Sequence, residues 1–181
     1  MAKHPFEDFV NKQVADSEDL GQLVSREVEI TDWQEFLETL YRKIEQFLEP
    51  FTSQRKITIA YQAMSIREEF LGTYQVRSME IQIGASDVHL EPIGTYLIGV
   101  KGRVDMIGSH ATVRLVLVDK RSDRPKVSVT IRPLNAERVA QPPPEKPLEW
   151  TWKIATSTSP IRYESLNAES FYAALMEAVG G

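Results

Sequence analysis

The side chains best placed for chemistry lie in the middle of the chain. In Val88-His89-Leu90-Glu91, strand alternation puts His89 and Glu91 on one face and Val88 and Leu90 on the other. An imidazole beside a carboxylate can act as a general base with an orienting partner. Lys101, Arg103 and Asp105 follow at steps of two, offset from Val100, Val104 and Met106. A hairpin at Gly108-Ser109 would return the chain so that Arg114 joins the same face. These six residues are the candidate ligand or partner site. If their face turns inward, it is a pocket of convergent charge suited to a small molecule or to hydrolysis. If it lies flat, it is a ladder of surface pairs contributing about 0.2–1 kcal/mol each. The flat reading is favoured, because period-two polar residues are what the wet face of an antiparallel sheet carries.

Other chemistries lack their residues. With Cys at 0 there is no thiol nucleophile, disulfide or sulfur-ligated metal. No GxxxxGK[ST], HExxH or EF-hand loop occurs, and the glycines between 94 and 108 do not follow GxGxxG. Neither Gly94-Thr95-Tyr96 nor Gly108-Ser109-His110 fits a GxSxG elbow. His4 sits near the terminus and His110 in a turn. No catalytic residue, metal or cofactor is therefore expected.

The net charge of −5 conceals a division. Residues 1–54 hold 12 acidic and 5 basic side chains, and residues 101–132 hold 8 basic and 3 acidic. The basic stretch raises nucleic-acid binding, but residues 97–148 contain no Phe, Tyr or Trp to stack bases, and the pI is about 5.3. Nucleic acid is thus disfavoured. A polarised acidic molecule suits a protein partner, since complementary charge steers association. The chain reads as a non-catalytic cytoplasmic protein-binding domain, of an inhibitor, immunity-like or chaperone-like kind. A small-molecule or hydrolytic pocket and nucleic-acid binding through 101–132 stand as alternatives. No run of 18 apolar residues suggests a membrane span, and the first residues lack the apolar core of a secretory signal.

The elements that would position these residues follow from periodicity. Phe6, Phe9, Val10 and Val14 lie at helical spacing, after which Asp16-Ser17-Glu18-Asp19 and Gly21 suggest an interruption. Leu20, Leu23 and Val24 would make a short further turn. From 31 to 51, Trp33, Phe36, Leu37, Leu40, Tyr41, Ile44, Phe47, Leu48 and Phe51 form one wide stripe. Thr31 and Gln34 fit a capping box, and Pro50 suggests an end near Glu49. Strands are expected from 57, over 74–83 with a bulge near Arg77-Ser78, over 88–92, over 95–107 with a bend or close backbone approach at Gly99 and Gly102, over 111–119, 126–132 and 149–156, and at 161–163. Trp150 and Trp152 share a face with Ile154 and are expected in the core with Trp33. Gln141 to Pro147 is a proline-rich loop. Asn167 should cap a last helix, with Leu166 and Phe171 as its staple and Phe171, Tyr172, Leu175, Met176 and Val179 as its buried stripe.

Short connections require antiparallel neighbours. The expected architecture is a single α+β domain over 1–181: helical over 1–54, a curved antiparallel sheet of six to eight strands over 55–164, and a helix over 165–181 on the same sheet face. Such a sheet has edges, and a second copy is one way to cover them.

Overall fold

The computed structural model describes residues 5–95, 99–125 and 147–181, with backbone alone for 5–20. A helix α1 (Pro5–Thr52) precedes seven strands: β1 (Ile57–Glu68), β2 (Gly72–Ile83), β3 (Ser86–Gly94), β4 (Gly102–Ile107), β5 (Thr112–Asp119), β6 (Trp150–Ala155) and β7 (Tyr163–Ser165). A helix α2 (Ala168–Val179) follows. The strands lie in sequence order in one open sheet, every neighbour antiparallel. The fold is α+β, as the strand-rich middle between helices implies.

Both helices pack on one face. Trp33, Leu37, Leu40, Tyr41, Ile44 and Leu48 from α1 meet Ile81, Val88, Leu90, Val104, Met106, Leu115 and Trp152. Phe171, Ala174, Leu175 and Ala178 from α2 complete that core. Burying each large side chain contributes roughly 1.5–3 kcal/mol, which holds α1 across the sheet. Asn167 caps α2 in a full capping box with Ser170, and Leu166 and Phe171 are both buried, as a staple requires. The β4–β5 turn locks the other end of α2. The N–H groups of His110 and Ala111 both donate to the Ala178 carbonyl, at 2.9 and 3.2 Å. Gly108 permits this approach, since a Cβ there would stand 2.2 Å from that oxygen.

Several local expectations need correction. Residues 5–52 hold no break: α1 is continuous, about 72 Å long for its 48 residues. One Gly and a few Asp cost no more than about 1 kcal/mol each in a helix, and the packed half has already nucleated it. Thr31 is therefore no cap. Its hydroxyl donates to the Glu27 carbonyl at 2.9 Å, while the Gln34 amide donates to the Gln75 carbonyl at 2.8 Å. Pro50 lies in the last turn and the helix runs on to Thr52.

No bulge interrupts β2. The β1–β2 register is unbroken from Ile57↔Ile83 to Glu68↔Gly72. Burial nevertheless changes parity in both strands at the same level, between Tyr61 and Met64 and between Val76 and Met79. A strongly twisted two-stranded ribbon explains both changes without an inserted residue.

The long strand expected over 95–107 is also divided. β3 ends at Gly94, Gly99 turns with φ 83°, and β4 begins at Gly102. Trp150 is 37% exposed and Met176 53%, so neither belongs to the core; Ala174 and Ala178 take the buried positions on α2. The strand expected over 126–132 and most of the proline-rich loop lie outside the described residues.

Candidate functional site

The sheet register brings the charged candidates onto one outer face, away from the helices. Glu91 on β3 stands opposite Asp105 on β4, and Asp105 opposite Arg114 on β5. His89 lies one step along, between Glu80 and Ile107. Within this row one pair is satisfied. Arg103 grips Asp105 with two hydrogen bonds, Nε to Oδ1 at 2.6 Å and Nη2 to Oδ2 at 2.7 Å. Asp105 is only 8% exposed, and its hydrogen bonds raise the Arg103 pKa further above its ordinary value. His89, Glu91 and Arg114 are exposed, and Lys101 is half-buried. Among the described residues no hydrogen bond joins His89 to Glu91, and no ion pair involves Arg114.

The same face turns apolar toward β6. Val116, Val118 and Ala155 are buried there, with Val100 and Tyr163 against them. Strand β5 is thus covered on both faces at its centre. The uninterrupted run Leu115-Val116-Leu117-Val118 carried that signal, since a strand buried on both sides loses its alternation. The clefts that do form lie elsewhere. One of about 380 Å³ is lined by Asp123, Arg124 and residues 160–164, and one of about 610 Å³ by the end of α1 and the start of β1. Neither includes any of the six candidates. Among the described residues no group of three or more His, Cys, Asp or Glu could hold a metal ion.

The basic stretch is partly neutralised within the chain. Arg121 donates to Asp119 through its backbone N–H, Nε and Nη2, at 2.8–2.9 Å. These bonds hold the Asp119 carboxyl well below the usual carboxylate range. Lys120 reaches Glu149 at 3.4 Å, and the Lys153 ammonium donates to the carbonyls of Lys120 and Ser122.

A second surface emerges on α1. Residues 21–28 are all exposed, Ile30 is half-buried, and from Gly21 onward the first fully buried residue is Trp33. The helix extends from Gly21 a further 16 residues, about 24 Å, to its start at Pro5. Leu23, Val24 and Val28 are 52%, 54% and 53% exposed. At 100° per residue, Val24 and Val28 lie about 150–170° round the helix from the centre of the stripe that meets the sheet. Glu27, Asp32 and Glu35 are exposed beside them, Asp32 and Glu35 at i+4 and i+7 from Val28. This face is apolar, acidic at its margins, and directed away from the chain's own core. Its apolar residues were visible in the sequence. Their change of face was not, because a new helix start at Thr31 would have separated them from Trp33.

Comparison with protein-family models, with curated proteins and with solved structures finds no match. The reading of function therefore rests on these surfaces. Among the described residues no helix is long and apolar enough to cross a membrane.

Proposed function

We propose that this protein is a non-catalytic protein-binding domain, acting in the cytoplasm, that holds a partner along the projecting half of α1. The observation that carries the reading is the reversal of the apolar face between Val28 and Trp33. The stripe from Trp33 onward serves the chain's own sheet; among the described residues neither Val24 nor Val28 joins a core cluster. Their flanking carboxylates suit an amphipathic helix bearing Lys or Arg beside its apolar stripe. Residues 5–28 carry 6 acidic and 2 basic side chains, which disfavours pairing with an identical helix and favours a basic one.

A synthetic amphipathic helical peptide with lysine flanks provides the probe, followed by fluorescence anisotropy. Saturable binding is expected, weakening as salt shortens the Debye length from about 10 Å at 0.1 M to about 3 Å at 1 M. Val24→Asp with Val28→Asp should abolish it with an unchanged circular dichroism spectrum. Equal binding of a glutamate-flanked control, or full binding by the double variant, would sink the proposal. The charged row on the outer sheet face is then an ordinary polar sheet surface, in which Arg103 is paired with Asp105.

A further inference from the structure

The two sheet edges are protected unequally. β7 is three residues long and includes Glu164, and a short, charged edge resists pairing. β1 is 12 residues long and pairs only with β2 among the described residues; its first ten, Ile57 to Ile66, contain no charge and no proline. Along its first half the alternation is regular. Ile57, Ile59 and Tyr61 face the helix layer, while Thr58, Ala60 and Gln62 are exposed on the other face. Ile59 and Tyr61 are only partly buried, whereas their register partners Ile81 and Met79 on β2 are 0% and 1% exposed. The edge therefore offers both backbone groups and a half-covered apolar row to an added strand.

The corner between this edge and α1 favours a cation. The 610 Å³ cleft opens there, lined by Glu45, Glu49 and Thr52 of α1, Arg55 of the connecting turn, and residues 57–59 of β1. Two carboxylates against one guanidinium leave the lining net negative. Glu45 accepts a hydrogen bond from the Tyr61 hydroxyl at 2.7 Å, and among the described residues neither Glu45 nor Glu49 is in an ion pair. The helix end adds to this field. A helix C-terminus carries about half a negative charge, so a carboxylate there is unfavourable, yet the last turn of α1 holds Glu49 and no basic residue. We propose that the first half of β1 takes an extended segment of a partner protein as an added strand. Apolar side chains of the segment lie over Ile57 and Ile59, and a Lys or Arg among them enters the cleft beside Glu45 and Glu49. Main-chain pairing supplies the affinity, and the cleft selects the side chain. The pairing ends near Gln62, because the burial of β1 changes parity beyond Tyr61. This surface is separate from the projecting half of α1, and neither reading depends on the other.

A capped, fluorophore-labelled peptide, Thr-Val-Thr-Lys-Thr-Val-Thr, tests the proposal on the full chain. It reads the same in both directions, so it suits parallel or antiparallel pairing, and its Val and Lys side chains share one face. Anisotropy should show saturable binding. Two further peptides carry methyl groups on one alternate set of backbone nitrogens or on the other. At least one of them should bind about tenfold more weakly, since alternate N–H groups point to the same side of a strand. Glu49→Lys should weaken the parent peptide about fivefold or more. It leaves the fold intact, because a cation at a helix C-terminus is favourable, and circular dichroism confirms this. The same variant should bind a peptide with Glu in place of the central Lys more tightly than the wild-type chain does. Val24→Asp with Val28→Asp should leave the parent peptide's affinity unchanged. A wild-type chain that shows no saturable binding overturns the proposal. So does equal binding of the parent and both methylated peptides, indifference to Glu49→Lys, failure of the charge exchange, or loss of binding in Val24→Asp/Val28→Asp.

Discussion

Replacing Gly102 by Ala tests how closely α1 is seated on the sheet. An ideal Cβ at Gly102 would lie 2.3 Å from Cζ3 of Trp33 and 3.0 Å from Cε3 and Cη2. Carbon atoms rest at about 3.5–4.0 Å, so the indole must retreat by about 1.2–1.7 Å. It has little room. Trp33 is 1% exposed, and the Trp152 ring stands 5.9 Å away, centroid to centroid. Trp152 is held in turn, its Nε1 donating to the Phe36 carbonyl at 3.0 Å. Overpacking of this kind costs about 1–3 kcal/mol. A ring confined on both sides belongs in the upper part of that range, about 2–3 kcal/mol. For a chain of this length each kcal/mol moves the melting temperature by about 2–4 °C, so a fall of roughly 4–12 °C is expected. Thermal melts followed by near-ultraviolet circular dichroism read it directly, because the tryptophans report the packing that is disturbed. Trp33→Leu in the same chain should recover part of the loss through coupling between touching sites. A Gly102→Ala protein that melts within a degree of the wild type would refute the close approach, and with it the seating of the helix from which the binding surface projects.

Other outcomes follow from the same geometry. Arg103→Ala leaves the nearly buried Asp105 carboxylate unpaired and should cost about 1–3 kcal/mol in urea unfolding, whereas Arg103→Ala with Asp105→Ala should cost less than the two single changes summed. Additive losses would show that the pair is not coupled. Burial pushes the hydroxyl pKa of Tyr41, Tyr61 and Tyr74 well above 10. The folded state then holds these protons where the unfolded state releases them, so stability is full below pH ~10 and falls as pH rises beyond it. Ultraviolet titration should show these three still protonated in the folded chain at a pH where the unfolded chain has ionised them; their ionisation near 10 in the folded chain would contradict it. Asn167→Ala removes the side-chain acceptor for the Ser170 N–H and should cost about 1 kcal/mol, read by urea unfolding.

The helix stripe from Trp33, the Asn167 cap with its staple, and the period-two strands were legible because each depends on residues near in sequence. What escaped depended on distant contacts. The loss of alternation at Ala63 and Arg77 looked like an inserted residue in one strand, and only the partner strand, changing at the same level, identifies a twist. The run from Thr95 to Ile107 read as one strand with a bend or close approach at Gly99 and Gly102; the glycines do turn the chain at Gly99 and admit Trp33 at Gly102, but that the turn divides the strand depends on the distant Trp33. For the charged residues, alternation gave the shared face correctly. Their partnership needs the register, which sets Glu91, Asp105 and Arg114 in one row and leaves His89 in another. Sequence spacing also could not say that Asp105 is closed off by Arg103 while Arg114 stays open.

The two halves of α1 divide the work of helix formation. The half from Trp33 to Leu48 is fixed by burial, so every residue added toward Pro5 extends an existing helix and incurs no nucleation cost. Extension is then decided by propensity, and here the composition is unfavourable. Gly21, Val24, Val28 and Ile30 each propagate less well than Ala, with Gly costing about 0.8–1.0 kcal/mol and the β-branched residues several tenths each. Exposed Leu or Lys at 24 and 28 would have given a better free-standing helix. Valine is the better choice only where it is covered, since its stiff side chain then loses little on burial. The residues that weaken the projecting helix are therefore the same ones that would gain most from a partner, so binding and helix formation in this segment should strengthen together.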